Sequence, residues 1–353
     1  MKNMKNEVTV IHTAYEDEPK AVAKVEAGPE LSDMGALEFT STANPISGIV
    51  SVGPSGDYST IHALRQNLAA NGVNGPLTVN IASGTYNENI SFGEISGASA
   101  TNTITLQSAA MSADSVVWQN NTNNSSKNYA VNLSGADHMR FKHITFSGAG
   151  TYYKRQMVVA GVVDSLVVDS CRFETNTTSA GYNSNCTSFD ASQVQMSGLQ
   201  ITNSTFENTF SYAIKVSGIN STPRSSNIEI SNNHFINMYD GIYIDYHDKV
   251  SIRNNTMSNS TTMGNYGILL AEVDSATVIE NNRMYGSEYT LTYGIALGNC
   301  HASEENPGRI INNIIQSNNA GIYFSNPVTH YNMYHNTIYS QGNPLNFSSY
   351  SAS

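Results

Sequence analysis

Acidic residues and histidines cluster between positions 240 and 301 of a chain in which only 13% of residues are charged. Asp245-Tyr246-His247-Asp248 lies between Asp240 and Glu272-Val273-Asp274. Carboxylates that a fold brings together can bind calcium through their oxygens, or act as acid and base on a glycosidic bond. We therefore predict catalytic residues at Asp245, His247 and Glu272, and calcium ligands at Asp240, Asp248 and Asp274.

A second set of side chains could hold a sugar chain. Lysine and arginine pair with the carboxylate of a uronate, and tyrosine offers a flat ring with a polar end. The chain has 20 tyrosines and one tryptophan, although tyrosine is also a common outward residue of β-strands. The predicted substrate-binding residues are Lys215, Tyr243, Tyr246, Arg253 and Tyr323.

Both sets have structural alternatives. Aspartate is a frequent turn residue, so the acidic group is also consistent with ordinary loops. Arg253 and Glu280 occupy equivalent positions in neighbouring repeats, which is typical of a surface ion pair of small energetic value. An enzyme would be favoured if at least three of these carboxylates converged in one groove: Asp240, Asp245, Asp248, Glu272 and Asp274.

The element that must position these residues is a repeat that begins near residue 138. Its units alternate apolar and polar residues, as in Ile228-Glu229-Ile230, and end on a large apolar side chain. A unit of roughly 20–30 residues is typical of a solenoid, in which each turn contacts only its neighbours. The last apolar residues of successive units lie at 146, 173, 206, 235, 257, 284, 315 and 338.

Each unit contains two strands and a turn. The period of two predicts that Ile228 and Ile230 point inward and Glu229 points outward. The second strand usually starts with glycine, as at Gly241 and Gly267, which indicates a corner. Because every unit repeats in the same order, the strands are predicted to be parallel. An asparagine at the end of the first strand is predicted to turn the chain and to bond its equivalents in adjacent coils: Asn203, Asn232, Asn254, Asn281 and Asn312.

A short helix is predicted ahead of the repeats, at about residues 57–71. Ser59 and Thr60 can cap it, and Gly72 can end it. The open end of a solenoid exposes strand edges and apolar side chains, so we predict that this helix covers the first coil. Its apolar residues have helical spacing: Ile61, Leu64 and Leu68.

The composition excludes several functions. The net charge is −11, and the 17 basic residues form no cluster, so nucleic acid is not an expected partner. No apolar run reaches the ~18 residues of a transmembrane helix, so membrane insertion is not expected. Cys171, Cys186 and Cys300 match neither a disulfide framework nor a zinc motif and are predicted to be buried side chains.

The pattern I-x-I-x-N-N-x-F followed by G-I-x-h, where h is apolar, resembles the repeat of pectate-lyase-like and mannuronan-epimerase-like proteins. The resemblance covers about residues 138–347. It implies an all-β fold, a right-handed parallel β-helix that forms a single-stranded solenoid over residues 46–353 with an N-terminal capping helix.

The N-terminal part carries a further resemblance. Residues 52–61 and 84–90 look like the opening of β-helix modules in long bacterial surface proteins, and Asp33-Met34-Gly35-Ala36-Leu37-Glu38-Phe39 is similar to the tail that closes such a module. The resemblance implies that residues 1–45 are an upstream tail and linker. It also implies a monomeric module of a longer, secreted or cell-surface protein.

Gly84, Tyr86 and Glu88 also resemble the G-x-Y-x-E element of pectin methylesterases. The catalytic elements Q-D-T, D-F-I-F-G and L-G-R-P-W of that family are absent from the sequence, so Glu88 is predicted to be structural. The predicted function is glycan binding or a structural, adhesive role, with a polysaccharide or surface glycan as partner. The alternative is a polysaccharide lyase or glycoside hydrolase that uses the acidic cluster and calcium.

Overall fold

Alternating apolar residues fold the chain into many short strands, each paired with its counterpart in the next coil. The computed structural model describes residues 44–175, 183–221, 224–259, 264–286 and 291–348. Paired strands within these ranges are parallel, as between Ile228 and Val250 or between Ile242 and Ile268. The predicted all-β parallel solenoid is confirmed, whereas the predicted tail and linker lie almost entirely outside the described residues.

Strand β1 (Ile46–Val52) precedes helix α1 (Ile61–Asn71). The first half of the solenoid contains β2 (Val73–Ile81), β3 (Gly84–Tyr86), β4 (Ile90–Phe92), β5 (Ile104–Ser108), β6 (Val116–Asn120), β7 (Val131–Ser134), β8 (Met139–Lys142), β9 (Thr145–Gly148), β10 (Met157–Ala160), β11 (Val163–Asp164), β12 (Val167–Asp169), β13 (Arg172–Thr175), β14 (Phe189–Ser192), β15 (Met196–Ser197), β16 (Gln200–Thr202), β17 (Thr205–Glu207) and β18 (Tyr212–Ser217). The second half contains β19 (Ser225–Ser231), β20 (His234–Ile236), β21 (Asp240–Asp245), β22 (His247–Arg253), β23 (Thr256–Asn259), β24 (Tyr266–Ala271), β25 (Val278–Glu280), β26 (Arg283–Gly286), β27 (Leu291–Gly298), β28 (Gly308–Ile311), β29 (Ile314–Phe324), β30 (Tyr331–Tyr334), β31 (Thr337–Ser340) and β32 (Asn343–Phe347). Short 3-10 helices span Ala113–Ser115, Ser125–Lys127 and Ser184–Cys186.

The coils stack into three sheets. Sheet 1 consists of β1, β2, β5, β8, β12, β16, β19, β22, β25, β28 and β30. Sheet 2 consists of β3, β6, β9, β13, β17, β20, β23, β26, the first part of β29, and β31; sheet 3 consists of β4, β7, β10, β14, β18, β21, β24, β27, the second part of β29, and β32. Strand β29 continues around the corner and joins sheets 2 and 3, and β11 and β15 form a separate pair.

Inward side chains form continuous stacks along the solenoid axis. The rings of Phe173 and Phe206 stack with centroids 4.6 Å apart, and those of Phe206 and Phe235 lie 5.1 Å apart. These separations are those that aromatic pairs prefer. The predicted repeat spacing is confirmed, because the last apolar residues of the predicted units form one column of sheet 2: Phe146, Phe173, Phe206, Phe235, Met257, Met284, Ile315 and Ile338.

Two consecutive asparagines form the corner between sheets 1 and 2. The first, such as Asn254 or Asn281, has a φ of 55° or 57°, a left-handed conformation that asparagine tolerates, so its predicted role in turning the chain is confirmed. The second asparagine is buried and builds the ladder. Asn255 Nδ2 donates to Asn282 Oδ1, and Asn282 Nδ2 to Asn313 Oδ1, both at 3.0 Å. The predicted ladder position was wrong by one residue, because the first side chain is directed outward.

Glycines form the corner between sheets 2 and 3. A Cβ atom on Gly241 would clash with the carbonyl oxygen of Gly267, and one on Gly267 would lie 2.7 Å from the carbonyl oxygen of Gly294. Successive coils approach too closely here for a side chain. The predicted corner role of these glycines is confirmed.

Helix α1 packs on the first coil and is shorter than predicted. Thr60 Oγ1 accepts a hydrogen bond from the Ala63 N–H at 3.0 Å. The Glu88 carboxylate accepts from the N–H groups of Ile61 and His62 at 3.2 and 2.8 Å, and its charge complements the helix dipole. The predicted capping helix and the structural role of Glu88 are therefore confirmed. No helix in the described ranges is long and apolar enough to cross a bilayer.

The three cysteines are buried free thiols, as predicted. Burial raises the pKa of Cys186 and of Cys300 to about 11 and that of Cys171 to about 12. Thiolates are the reactive form of cysteine, so these side chains serve as small core residues.

The asparagine ladder predicts a specific loss of stability. In Asn282→Ala, the N–H and Nδ2 of Asn255 lose their acceptor, which we expect to cost roughly 1–3 kcal/mol. Thermal and urea unfolding followed by circular dichroism would measure this. Asn281→Gly is the matched control, because glycine accepts the left-handed backbone; equal destabilisation of both variants would contradict the role of the ladder.

Candidate functional site

The outer face of sheet 3 carries a column of side chains that includes three of the predicted substrate-binding residues: Lys215, Tyr243 and Tyr323. Register pairing confirms that the column crosses β18, β21, β24, β27 and β29. Asp190 on β14 precedes it, next to Lys215. The column therefore contains, in order, Asp190, Lys215, Tyr243, Leu269, Ala296 and Tyr323.

Tyr212, Tyr266 and Tyr293 lie in a neighbouring column, where Tyr212 contacts the predicted residue Tyr243 and Tyr293 contacts the predicted residue Tyr323; of these three, Tyr212 and Tyr266 were not predicted. The rings of Tyr266 and Tyr293 stack at 5.2 Å, and those of Tyr293 and Tyr323 at 4.9 Å. The rings of Tyr212 and Tyr243 lie 5.3 Å apart. A sequence signal was available, since Tyr266 and Tyr293 each precede a corner glycine. We call these five residues the tyrosine face: Tyr212, Tyr243, Tyr266, Tyr293 and Tyr323.

Asp245 is fixed by hydrogen bonds at the edge of the tyrosine face. It is 7% exposed, and its Oδ1 accepts from the Gly218 N–H at 3.0 Å. The Tyr243 hydroxyl donates to its Oδ2 at 2.7 Å. Burial and this neighbouring carboxylate raise the pKa of Tyr243, so its phenol remains a proton donor at neutral pH.

Asp240 lies in the same column as Tyr212, at the equivalent position of the next coil. It is only 4% exposed, and its Oδ1 accepts from the Tyr266 N–H at 3.0 Å. Burial raises the pKa of Asp240 to about 6, although this hydrogen bond opposes the shift. Its carboxyl group is therefore partly protonated in mildly acidic solution.

Asp190 and Lys215 are adjacent but engage different partners. Asp190, 4% exposed, lies 3.1 Å from Arg155 Nε and accepts from the Ser192 hydroxyl. The Lys215 ammonium lies 5.9 Å from the Tyr212 ring centroid and has no ion pair in the described part of the chain. Neither Asp190 nor Arg155 was predicted to be a site residue.

Three of the predicted carboxylates meet elsewhere, around Arg224. Arg224 Nη1 donates to Asp274 Oδ2 at 2.7 Å and to the Glu272 carbonyl oxygen. Its Nη2 lies 3.6 Å from Glu272 Oε2, and its guanidinium lies 5.7 Å from the Tyr246 ring centroid. Burial and the charge of Asp274 raise the pKa of Asp248, and Arg224 opposes this shift. Three of the five carboxylates named in the condition for an enzyme therefore come together, but around an arginine that neutralises their charge.

The two remaining predicted residues lie apart from the tyrosine face. His247 is completely buried, with its Nδ1 only 2.6 Å from the Asp245 carbonyl oxygen, and burial lowers its pKa. Arg253 lies on sheet 1, where its Nε is 3.9 Å from Glu280 Oε2. The predicted surface ion pair is confirmed. These placements separate His247 and Arg253 from the residues on sheet 3.

The predicted calcium ligands do not form one set. Asp240 belongs to sheet 3, whereas Asp274 accepts from Arg224 and from the His301 N–H at 2.8 Å. Among the residues that the structure describes, no group of three or more histidine, cysteine, aspartate or glutamate side chains could hold a metal ion. Calcium binding stays a prediction.

The separations on sheet 3 limit the chemistry available there. Asp240 and Asp245 are at the two ends of β21, and a strand rises about 3.3 Å per residue, which places their Cα atoms roughly 16 Å apart. Glycosidases hold their two carboxyl groups ~5–9.5 Å apart. The tyrosine face is therefore better suited to hold a ligand than to hydrolyse it with these two residues.

A family model described as a right handed beta helix region matches residues 194–338. The fold is a right-handed parallel β-helix. This confirms the predicted handedness over the coils that carry the tyrosine face. No curated protein matches the chain.

Several solved structures resemble this β-helix. An alginate lyase from Paenibacillus sp. str. FPU-7 is 13% identical, with 85% of this chain and 98% of that chain covered and a TM-score of 0.50. A pectin methylesterase from Aspergillus niger is 14% identical, with coverages of 88% and 93% and a TM-score of 0.42. Pectate lyase Pel9A is 12% identical, with coverages of 88% and 80% and a TM-score of 0.37. At these identities the likeness shows the fold alone.

The pKa of Asp240 predicts a pH-dependent difference in stability. Its pKa is about 6 in the folded state and 3.8 when unperturbed, so folding retains the proton at low pH, and stability is lost as the pH rises from about 4 to 6. Asp240→Asn can still accept from Tyr266 and does not titrate. We expect the melting temperature of Asp240→Asn, relative to the unmodified protein, to increase from pH 4 to pH 7. A constant difference across this range would contradict the raised pKa.

Proposed function

We propose that the chain binds a polysaccharide or surface glycan along the tyrosine face of sheet 3, as a module of a secreted or cell-surface protein. The observation that carries this proposal is the set of five partly exposed tyrosines, one on each of five successive coils, whose rings make contacts in two groups. An alginate lyase with this fold takes its name from a polysaccharide, and the proposal for this chain is recognition of such a polymer.

Stacked tyrosines suit a carbohydrate because each ring combines apolar area with a hydroxyl group. Tyr266, Tyr293 and Tyr323 contact one another across three coils, so they are already ordered before a ligand arrives. Preorganised rings lose little conformational entropy on binding. A glycan lying along the solenoid axis would meet a ring on successive coils.

Polar groups around the tyrosines supply hydrogen bonds of defined direction. Asp245 is fixed by Gly218 and Tyr243, and Asp190 is fixed by Arg155 and Ser192. A carboxylate that keeps a free lone pair is an acceptor for sugar hydroxyls. Lys215 adds a cation between Asp190 and Tyr243, so the same face could also bind a uronate.

One observation favours a second function, cleavage by elimination. In a lyase, a base removes the proton beside a uronate carboxylate and a cation neutralises that carboxylate. Lys215 supplies such a cation without an ion pair among the described residues, and Asp245 is a nearby carboxylate in the next coil. Absorbance of unsaturated uronates during incubation with pectate or alginate would test this function, and turnover that Lys215→Gln abolishes would establish it.

Removing one ring of the tyrosine face should weaken glycan binding. We expect Tyr293→Ala to reduce the affinity by about 1 kcal/mol, which is roughly a fivefold change in Kd. Affinity electrophoresis in gels with a panel of neutral and acidic polysaccharides would identify a ligand, and calorimetry with its oligosaccharides would give Kd.

Tyr152→Ala is the matched control, because it removes an exposed ring from the connection between β9 and β10. Equal melting temperatures would show that both variants keep the fold. The proposal fails if no polysaccharide retards the protein, or if Tyr152→Ala weakens binding as much as Tyr293→Ala does.

A further inference from the structure

A groove of about 410 Å³ runs along the corner between sheets 1 and 2, away from the tyrosine face. One wall consists of the first asparagine of each corner pair, from three successive coils. The other wall consists of the residues that begin the next strands, which are in register. The groove is lined by Asn254, Asn281, Asn312, Thr256, Arg283 and Ile314.

Arg283 gives this groove an available positive charge. Its guanidinium is exposed and makes no hydrogen bond or ion pair within the described ranges, whereas Arg253 on sheet 1 is paired with Glu280 at 3.9 Å. Glu280 is the acidic residue nearest to Arg283 in the sequence, and it is already paired with Arg253. Arg283 is therefore free to pair with an anionic group.

Exposed aromatic rings continue the surface beyond the groove. Tyr285 follows Arg283 on the same face of β26 and is 47% exposed. Tyr339 lies two coils further in the same sheet and is 67% exposed. Unlike the tyrosines of sheet 3, neither ring makes an aromatic contact among the described residues. Exposed rings beside amides and a cation combine stacking with directed hydrogen bonds.

The asparagine amides repeat at the coil spacing of about 4.8 Å. Each amide both donates and accepts, so a row of them can follow the hydroxyls of an extended sugar chain. Arginine binds planar or multi-oxygen anions through two parallel hydrogen bonds.

We propose that this groove is a second glycan-binding surface, which takes a sugar carrying a carboxylate or sulfate group. Arg283 binds the anionic group, the amides of Asn254, Asn281 and Asn312 bind neighbouring hydroxyls, and Tyr285 supports a ring. This surface is separate from the tyrosine face and does not depend on it.

The test compares Arg283→Gln with Arg309→Gln. Arg309 is also exposed, lies on β28 of sheet 1 and does not line the groove, so both variants lose one positive charge. Calorimetry at low ionic strength would use three probes: hexagalacturonate, a sulfated galactan hexasaccharide and cellohexaose. Hexagalacturonate carries carboxylates and the galactan carries sulfates, so these two probes show which anionic group the groove binds.

We expect the intact protein to bind at least one charged probe more tightly than cellohexaose. Arg283→Gln should raise the Kd for that probe about tenfold, Arg283→Lys should give a smaller loss, and Arg309→Gln should leave the Kd nearly unchanged. Equal losses in Arg283→Gln and Arg309→Gln would reduce the effect to net charge and overturn the proposal. The proposal would also be overturned if none of the probes bound, or if cellohexaose bound as tightly as the charged probes.

Tyr293→Ala distinguishes this proposal from the previous one. If the anionic ligand occupies the groove, Tyr293→Ala leaves its Kd unchanged while Arg283→Gln raises it. If Tyr293→Ala raises the Kd and Arg283→Gln does not, the ligand lies on sheet 3 and the groove proposal fails.

Discussion

Hydrogen bonding between the backbones of adjacent coils is the constraint on which the rest of this structure depends. A strand of one coil has its backbone groups satisfied by the coils before and after it, so each position must fall in register with its counterpart. Phe173 lies over Phe206, and Phe206 over Phe235. An apolar side chain in one coil therefore requires one of compatible size in the next.

The same constraint explains the paired asparagines. A sharp corner interrupts strand pairing and leaves a buried N–H group that needs an acceptor. The second asparagine supplies it: Asn282 Oδ1 accepts from both the N–H and the Nδ2 of Asn255. The first asparagine takes the left-handed conformation that makes the corner and presents its amide to solvent. The second asparagine of each pair therefore satisfies a buried N–H group, and the first lines the groove that contains Arg283.

Register also determines which surface residues act together. Side chains distant in sequence become neighbours, as do Arg224 and Asp274 or Tyr266 and Tyr293. Three carboxylates are arranged around Arg224. This acidic cluster is therefore largely an ion-pair network within the protein. The tyrosine face instead combines rings from five successive coils with Asp240, which is in register with Tyr212, and Asp245, which accepts from Tyr243. The two glycan-binding surfaces that we propose thus lie on separate parts of one solenoid.

The sequence by itself determined the repeating elements. Alternation with period two, the recurrent asparagine and the corner glycine identify the strands, their parallel order and the inward column that ends at Ile338. Helix α1 also followed from local signals, and the structural role of Glu88 followed from the absence of the esterase elements. Lys215, Tyr243 and Tyr323 could be assigned to one column from the sequence alone. Tyr243 and Tyr323 each lie two residues after a corner glycine, and Lys215 has the equivalent position in a coil without that glycine.

Only the tertiary structure decided which side chains meet across coils. The connections between strands differ in length, so a residue in a loop, such as Arg224, cannot be assigned a partner by counting along the repeat. Burial was equally inaccessible: nothing in the local sequence shows that His247 is completely buried or that Asp240 is only 4% exposed. The ladder was predicted one residue too early, because the left-handed turn, and not the asparagine pattern, determines which amide points inward.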